Sequence, residues 1–335
     1  MANDFLAFAG AGGANVLTQA AYVALAARTA GFSAGTARSQ ELNKVWRQSS
    51  IIAAAVAQAV SDITGQDAID NGTTATLTAM FKAAFAAASN AVVGSSSNLK
   101  ASVGAPTTST NITAAVIIVN ASLGGNTYSL PNFNKPINLA TVGVGGMDVG
   151  LAPVSGYVAV YAIYNPTTGV SGLLATDATA AAQPEVYGGA NMPAGFTASS
   201  LVSVWGTNAS RQFVIGSQTG REITMATNST FTTSTVQASL TSFSIAAVVP
   251  KNAVACRGDM TAGSSALGAG ATTVYSGASI EIGRAALGMT TATAGATQVA
   301  SFPNIPILTA QTLYYRASVS AGTLVLVLGL CAYTF

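Results

Sequence analysis

The sequence predicts an α+β chain with a helical N-terminal region at residues 1–94 and an all-β region at residues 112–335. In the first region, apolar residues recur at alternating spacings of three and four, which is typical of helices. In the second, short runs rich in Val, Ile, Thr and Tyr are separated by Gly, Asn, Pro and Ser. A third observation, the scarcity of charge, predicts that copies of the chain bury surface against one another.

The helical region contains one strong signal and two weaker ones. A short helix is expected between Thr18 and Gly31, and a long one from Ser39, a suitable N-cap residue, to just before Gly65. Seven residues of the long helix keep the spacing of a coiled-coil seam with one polar interruption: Leu42, Val45, Ser49, Ile52, Val56, Ala59 and Ile63. A third helix after Gly72 continues this spacing with Leu77, Phe81, Ala84, Ala88 and Ala91.

Two interpretations of these helices stay open. They could form a bundle within one chain, or a threefold stalk between identical chains. Under the second interpretation, residues 1–94 form a trimerisation domain and the seven seam residues lie at the trimer interface.

A linker is predicted at residues 95–111, which are rich in Gly, Ser, Thr and Pro and lack apolar periodicity. Strand-like runs follow at 114–119, 157–164, 200–205, 243–249, 280–282 and 324–330. This pattern predicts a β-sandwich or jelly-roll domain at residues 112–335, of one or two subdomains. Under the threefold interpretation of the helices, the whole chain would form an intertwined homotrimer.

Charge is scarce: the 335 residues include only 13 Lys+Arg and 11 Asp+Glu. Ordinary soluble domains carry about 25% charged residues, whereas this chain carries 7%. A compact monomer of this size would expose roughly 12,600 Å², or about one charge per 500 Å². Solubility must therefore come from hydroxyl, amide and glycine surface and from burial against neighbouring chains. Both favour an assembly component over a small-molecule enzyme.

Several kinds of chemistry are excluded by composition. The chain has no histidine, so Ser-His-Asp and Cys-His catalysis and histidine zinc sites are impossible. Cys256 and Cys331 are too few for a disulfide framework or a thiolate zinc site. The acidic residues of the β region form no recognisable catalytic pair: Asp148, Asp177, Glu185, Glu222, Asp259 and Glu281. We expect no enzyme activity, cofactor or metal.

The sequence also argues against two kinds of partner. The net charge of +2 is not concentrated in a basic cluster, which argues against nucleic-acid binding. No uninterrupted apolar run approaches the roughly 20 residues that cross a bilayer, so no membrane insertion is expected. The N-terminus lacks a basic segment before an apolar run, so we expect synthesis in a cytoplasm without a secretory signal.

Tyrosines provide the one suggestive binding signal. Aromatic faces and amide groups suit saccharides, because rings stack on sugars and amides satisfy hydroxyl groups. Such side chains concentrate in one stretch: Tyr157, Tyr161, Tyr164, Asn165, Tyr187, Asn191 and Trp205. Tyr164, Tyr187 and Asn191 are the speculative receptor contacts. The alternative is core packing, because Tyr157 and Tyr161 alternate with valines as strand residues do.

Two parts of the chain resemble a known family. The opening FLAFAGAGGANVLTQAAYVALAARTAGF (5–32) with LNKVWRQSSIIAAAVAQAVSDITGQD (42–67) resembles the attachment region of tail fibre proteins from tailed bacteriophages and prophages of Gram-negative bacteria. The segment YVAVYAIYNPTTGVSGLLATDATAAAQPEVYGGANMPAGFTASSLVSVW (157–205) is similar to β-rich distal regions of such proteins.

The resemblance implies a homotrimeric virion protein that is assembled in the host cytoplasm and becomes part of the tail. Its N-terminal helices would dock on tail or baseplate proteins, and its distal part would bind host lipopolysaccharide or an outer-membrane protein. Two alternatives stay open: an architectural tail or capsid decoration protein that does not touch the host, and a fibre-borne polysaccharide depolymerase.

Overall fold

The computed structural model describes residues 2–36, 38–87 and 92–335. The chain divides into two compact units, Met1–Asn90 and Ala91–Phe335. Described helices lie in the first unit, and the second is built from strands: the chain is mostly β, with a small helical N-terminal part. The coarse prediction of a helical region followed by a β-rich one is therefore confirmed.

The helical unit contains α1 Gln19–Val23, α2 Ala27–Ala30, α3 Ser39–Thr64 and α4 Ala75–Ala87. The long helix has the predicted extent, and Gly65 follows it in the left-handed conformation with φ 72°. Ser39 is its first residue rather than its cap, because Arg38 holds the extended cap conformation, and the Ser39 hydroxyl instead accepts a hydrogen bond from Asn15 Nδ2 at 3.0 Å. The expected first helix is divided into α1 and α2, with Thr18 capping α1.

The helical unit has a small core. Its buried hydrophobic residues are Ala57, Val60, Ala68, Met80 and Ala84. Most of these side chains are short, so the core formed between α3 and α4 buries little apolar area. Of the expected third-helix seam, Leu77, Phe81 and Ala84 pack in this cluster, whereas Ala88 and Ala91 lie outside the described residues.

The β unit begins with nine strands that cover its first half: β1 Ser96–Ser97, β2 Lys100–Val103, β3 Ser109–Asn120, β4 Thr127–Asn138, β5 Gly146–Met147, β6 Tyr157–Asn165, β7 Val170–Asp177, β8 Ala198–Gly206 and β9 Gly216–Thr219. Eight further strands complete it: β10 Glu222–Thr233, β11 Gln237–Ser244, β12 Ala255–Ser264, β13 Gly270–Ser276, β14 Ala285–Thr290, β15 Thr297–Pro306, β16 Thr312–Val319 and β17 Leu324–Thr334.

These strands form two sheets. The larger follows the order β15-β12-β17-β10-β9-β2-β3-β8-β6-β7-β5, with β1 and β4 paired to β3 beside this path. The smaller has the order β11-β16-β13-β14. All the ladders are antiparallel except the short β5–β7 pair. The β9–β10 hairpin carries the larger sheet from the first half of the unit into the second.

The two sheets face each other across an apolar interior in the second half of the unit. Phe231 of β10 stacks on Phe243 of β11, with ring centroids 4.1 Å apart, and lies 4.9 Å from the ring of Tyr315 on β16. Alternate leucines of β17 point into the same core and are at most 2% exposed: Leu324, Leu326, Leu328 and Leu330. The architecture is thus sandwich-like, with period-2 burial along the inner faces.

The predicted linker at residues 95–111 requires correction. This stretch contains β1, β2 and the beginning of β3, and Leu99, Ala101 and Val103 are buried. The reason is long-range pairing: Lys100 and Val103 are register partners of Thr219 and Gly216 in β9. Sequence composition alone does not reveal a partner more than a hundred positions away.

Two predicted strands also differ in the structure. The run at 243–249 contributes only its first two residues to β11, and the chain then turns, with Ile245 accepting from the backbone N–H of Val249. The run at 280–282 lies in the turn between β13 and β14, where Glu281 has a positive φ of 60°. Ile280 and Ile282 are thus turn residues, 75% and 40% exposed, and do not extend a strand.

We expect Leu328→Ala to lower the free energy of unfolding of the β unit by about 2–5 kcal/mol, because it removes a fully buried side chain and leaves a cavity. The control is Leu308→Ala, because that side chain is 58% exposed and should cost less than about 0.5 kcal/mol. Urea denaturation followed by Trp205 emission in a Trp46→Phe background measures both. Equal losses for the two variants would contradict this account of the core.

Candidate functional site

The apolar seam on α3 is only partly used within the chain. Ile52 is 64% exposed, Ser49 and Ala59 are also exposed, and Leu42, Val45, Val56 and Ile63 are half-buried. Val56 and Ile63 pack against the cluster between α3 and α4, so the intramolecular interpretation holds for the end of the helix. The middle of the seam is left open to solvent.

An apolar groove of about 230 Å³ adjoins the end of this seam. It is lined by residues of α3 and α4, among them Ala59, Ile63, Phe81 and Phe85. Phe85 is 73% exposed and lies 6.2 Å from the Phe81 ring. The groove therefore extends the apolar surface of the seam across both helices.

The tyrosines of the speculative receptor site are mostly structural. Tyr157 and Tyr161 are buried on β6, and their hydroxyl groups donate to the carbonyl oxygens of Ala246 and Pro184 at 3.1 and 2.7 Å. Burial raises the pKa of both phenols well above the ordinary value. These contacts favour core packing for this pair.

Tyr187 fastens the loop between β7 and β8. Its ring is 9% exposed and meets Tyr161 edge-on at 5.4 Å, and its hydroxyl donates to Asp148 Oδ2 at 2.8 Å. Burial and the hydrogen bond to the Asp148 carboxylate raise the pKa of Tyr187 to about 12, against a smaller opposing effect from the backbone of Asn191. The buried ring and occupied hydroxyl favour packing over receptor contact for Tyr187.

The other two speculative contacts lie closer to solvent. Tyr164 is half-buried at the end of β6 and packs on Tyr128 of β4, with centroids 5.2 Å apart. The side chain of Asn191 is exposed on the loop that Tyr187 fastens. The structure thus links Tyr187 with Asn191 and Tyr164 with Tyr128, and no contact that it records joins the two pairs.

The carboxylates of the β unit each have a separate structural partner. Glu185 forms a two-pronged pair with Arg221 at 2.7 and 2.9 Å. Glu222 pairs with Arg257 at 2.8 Å, and this hydrogen bond lowers the pKa of Glu222. Asp259 accepts from the Ser301 hydroxyl at 2.7 Å. Within residues 2–36, 38–87 and 92–335, no group of three or more metal-ligating acidic or thiol side chains is found.

Both cysteines are free thiols on neighbouring strands. Cys256 is fully buried in β12, and burial raises the pKa of its thiol to about 12. Cys331 of β17 is half-buried and contacts the Arg257 guanidinium at 3.7 Å. Among the described helices, none is both long and apolar enough to cross a membrane.

A polar groove on the smaller sheet was missed by sequence reasoning. It has a volume of about 560 Å³ and lies on the outer face, where Arg284 and Arg316 both approach Glu281. The two arginines lie more than thirty positions apart, and no sequence motif connects them. The one sequence signal that could have drawn attention to these arginines is the scarcity of charged residues in this chain.

No family model matches this chain, and no curated protein shows significant similarity to it. The resemblance to phage tail fibres accordingly stays a prediction from the sequence.

We expect the free energy of unfolding to fall as the pH rises from about 10 to about 12. Folded Tyr187 keeps its proton up to a pKa of about 12, against an ordinary value of 10.0. The unfolded chain therefore binds fewer protons in this window, and stability that is complete below pH 10 is lost above it. Tyr157 and Tyr161, whose pKa values are also raised, act in the same direction.

The measurement is urea denaturation of the β unit between about pH 9 and pH 11, with Tyr187→Phe expected to flatten part of the pH slope. Tyr22→Phe is the control, because Tyr22 lies in the helical unit. Stability that is constant through pH 11, or an equal effect of both substitutions, would contradict the expectation.

Proposed function

We propose that this chain is a homotrimeric tail fibre protein of a tailed phage or prophage of a Gram-negative bacterium. Its helical unit attaches to tail or baseplate proteins, and its β unit binds the host surface through lipopolysaccharide or an outer-membrane protein. The observation that carries the proposal is the half-open apolar seam on α3 in a chain with so little charge.

The surface of the helical unit supports self-association. It exposes several large apolar side chains by about half or more: Leu6, Val23, Phe32, Trp46, Ile52, Ile69 and Phe85. Within residues 2–36 and 38–87, its core contains five buried hydrophobic residues, which is little for a unit of this length. Fully burying one such exposed side chain contributes about 1.5–3 kcal/mol. Contacts between copies along the seam would therefore stabilise the unit substantially.

A second apolar surface lies in the β unit. The segment between β4 and β6 exposes five large apolar side chains by half or more: Val142, Val144, Val149, Leu151 and Val154. Concentrated exposed apolar surface of this kind is characteristic of interaction sites. In the proposed trimer, these residues would lie against neighbouring copies.

The β unit supports a jelly roll in its second half. We number β10 to β17 as strands one to eight. The part β15-β12-β17-β10 of the larger sheet then has the order six-three-eight-one, and the smaller sheet has the order two-seven-four-five. This is the arrangement that two Greek keys produce in a jelly roll, a fold found in viral capsid and lectin domains. Fold alone does not give function, but a rigid sandwich is a suitable platform for surface recognition.

We expect the full-length chain to have a mass of about 100 kDa in solution, three times 33.2 kDa. Ile52→Lys places a charge in the seam and should shift the population toward monomer by tenfold or more, because burying an unpaired ammonium is costly. Multi-angle light scattering across a dilution series measures this shift. A stable wild-type monomer at micromolar concentration would overturn the trimer.

The matched control is Ile51→Lys. Ile51 is 49% exposed on the same helix but lies off the seam, so the trimer should persist. If both substitutions dissociate the chain equally, the seam residues do not define the interface.

Host binding is tested by competition. Purified full-length trimer should reduce adsorption of the parent particles to host cells in a dose-dependent manner, because it occupies the same receptors. A trimer that leaves adsorption unchanged would instead support the architectural role, with host contact made by another protein.

A further inference from the structure

The polar groove on the outer face of the smaller sheet is formed by a local lack of large side chains. Neighbouring outward positions on three strands carry Thr272 of β13, Ser318 of β16 and Gly288 of β14, which are register partners. Ala286 and Val274 continue this floor along β14 and β13. The small residues leave a depression of about 560 Å³ between the first residues of β11 and the arginines.

The chain places two of its few cations at this groove. Arg316 Nη2 lies 2.8 Å from Glu281 Oε1, and Arg284 Nη1 lies 3.4 Å from Glu281 Oε2. One carboxylate faces two guanidinium groups, so the cluster carries a net positive charge. Arg284 and Arg316 are 53% and 43% exposed, and each guanidinium has five N–H donors, more than these contacts occupy.

Three other cations of the β unit are engaged in holding the fold. Arg221 bridges Glu185 and the carbonyl oxygen of Phe335. Arg211 and Lys251 donate to the backbone oxygens of Ala152 and Ala180 at 2.8 and 2.6 Å. Arg284 and Arg316 differ from these cations, because both line an open groove and share Glu281 as their ion-pair partner.

We propose that this groove binds a saccharide that carries an anionic group, a carboxylate or a phosphate. Arg284 and Arg316 recognise the anion, since planar guanidinium groups donate paired hydrogen bonds to both kinds of oxyanion. Thr272 and Ser318, whose hydroxyl oxygens lie 2.6 Å apart, offer donors and acceptors to the sugar hydroxyls. The amide of Gln237 lies at the same groove and serves the same role.

The proposal deepens the proposed function and rests on it in one respect, which is that the saccharide belongs to the host surface. The open groove predicts weak binding at each site. Three copies on one particle would raise the avidity by roughly 10²–10⁴ without any further contact. A neutral sugar lacks the charge that the two arginines recognise, so it should bind more weakly than an anionic one.

The test uses the full chain and isothermal titration with three probes: a galacturonic acid tetramer, glucose 1-phosphate and neutral maltotetraose. At least one anionic probe should bind, and maltotetraose should bind at least tenfold more weakly. The two anionic probes distinguish carboxylate from phosphate as the preferred group. Binding should also weaken as salt is added, because exposed charge interactions are screened.

Two variants locate the site. Arg284→Gln with Arg316→Gln should weaken anionic-probe binding at least tenfold, and Ala286→Trp should block the groove while both arginines remain. The control is Lys100→Gln, which removes an exposed cation elsewhere in the β unit and should leave binding unchanged. Circular dichroism of each variant verifies that the fold is intact.

Three results would overturn the inference: no binding of either anionic probe, equal binding of maltotetraose, or unchanged binding by both groove variants. A wild-type chain that binds no probe but competes for host adsorption refutes the groove and leaves the proposed function standing. A chain that binds an anionic probe through the arginines but fails to compete supports the groove and refutes host attachment.

Discussion

The guanidinium of Arg221 ties together three parts of the β unit that are distant in sequence. It grips Glu185 with two nitrogens, donates from Nε to the Phe335 carbonyl oxygen at 2.7 Å, and covers the Phe335 ring at 4.8 Å. Arg221 lies in the β9–β10 hairpin, which is the connection between the two halves of the larger sheet. Its contacts therefore fix the end of β17 beside the loop after β7, and β17 is the strand on which β10 and β12 both pair. A chain with few charges thus uses one of them at the junction between the two halves of the sheet.

Local pattern predicted the elements whose folding is itself local. The helix Ser39–Thr64 was visible because its period and its terminal glycine are both encoded within one stretch, and β6 and β17 were visible as apolar runs. Strand β2 was mistaken for part of a linker, because pairing with the distant strand β9 stabilises it and its own composition does not indicate a strand. The sheet order, in which β17 lies between β10 and β12, likewise depends on pairing between strands that are distant in sequence, so no short sequence window indicates it.

The candidate sites show the same difference between what is encoded locally and what depends on long-range pairing. Tyrosine alternation on β6 favoured core packing for Tyr157 and Tyr161, and the burial extends further than alternation alone indicates, since every residue from Tyr157 to Ile163 is buried. Alternation is informative only where one face is solvated. The pairing of Arg284 with Arg316 through Glu281 depends on the β13–β14 turn and on the β13–β16 register. Sequence could show that such charges are rare, but not that they converge.

In the proposed function, weak recognition and self-association both follow from the same composition. A surface of hydroxyl, amide and glycine groups offers many small contacts and few strong ones, so a single copy gains little from any one ligand. Exposed apolar residues such as Ile52 and Phe85 supply the complementary property, since they favour copies of the chain meeting one another. In the proposed trimer, threefold repetition would multiply the weak sites, and the low charge would make assembly insensitive to salt. The charge-poor composition would then be what allows the assembled copies to bind a surface firmly through individually weak contacts.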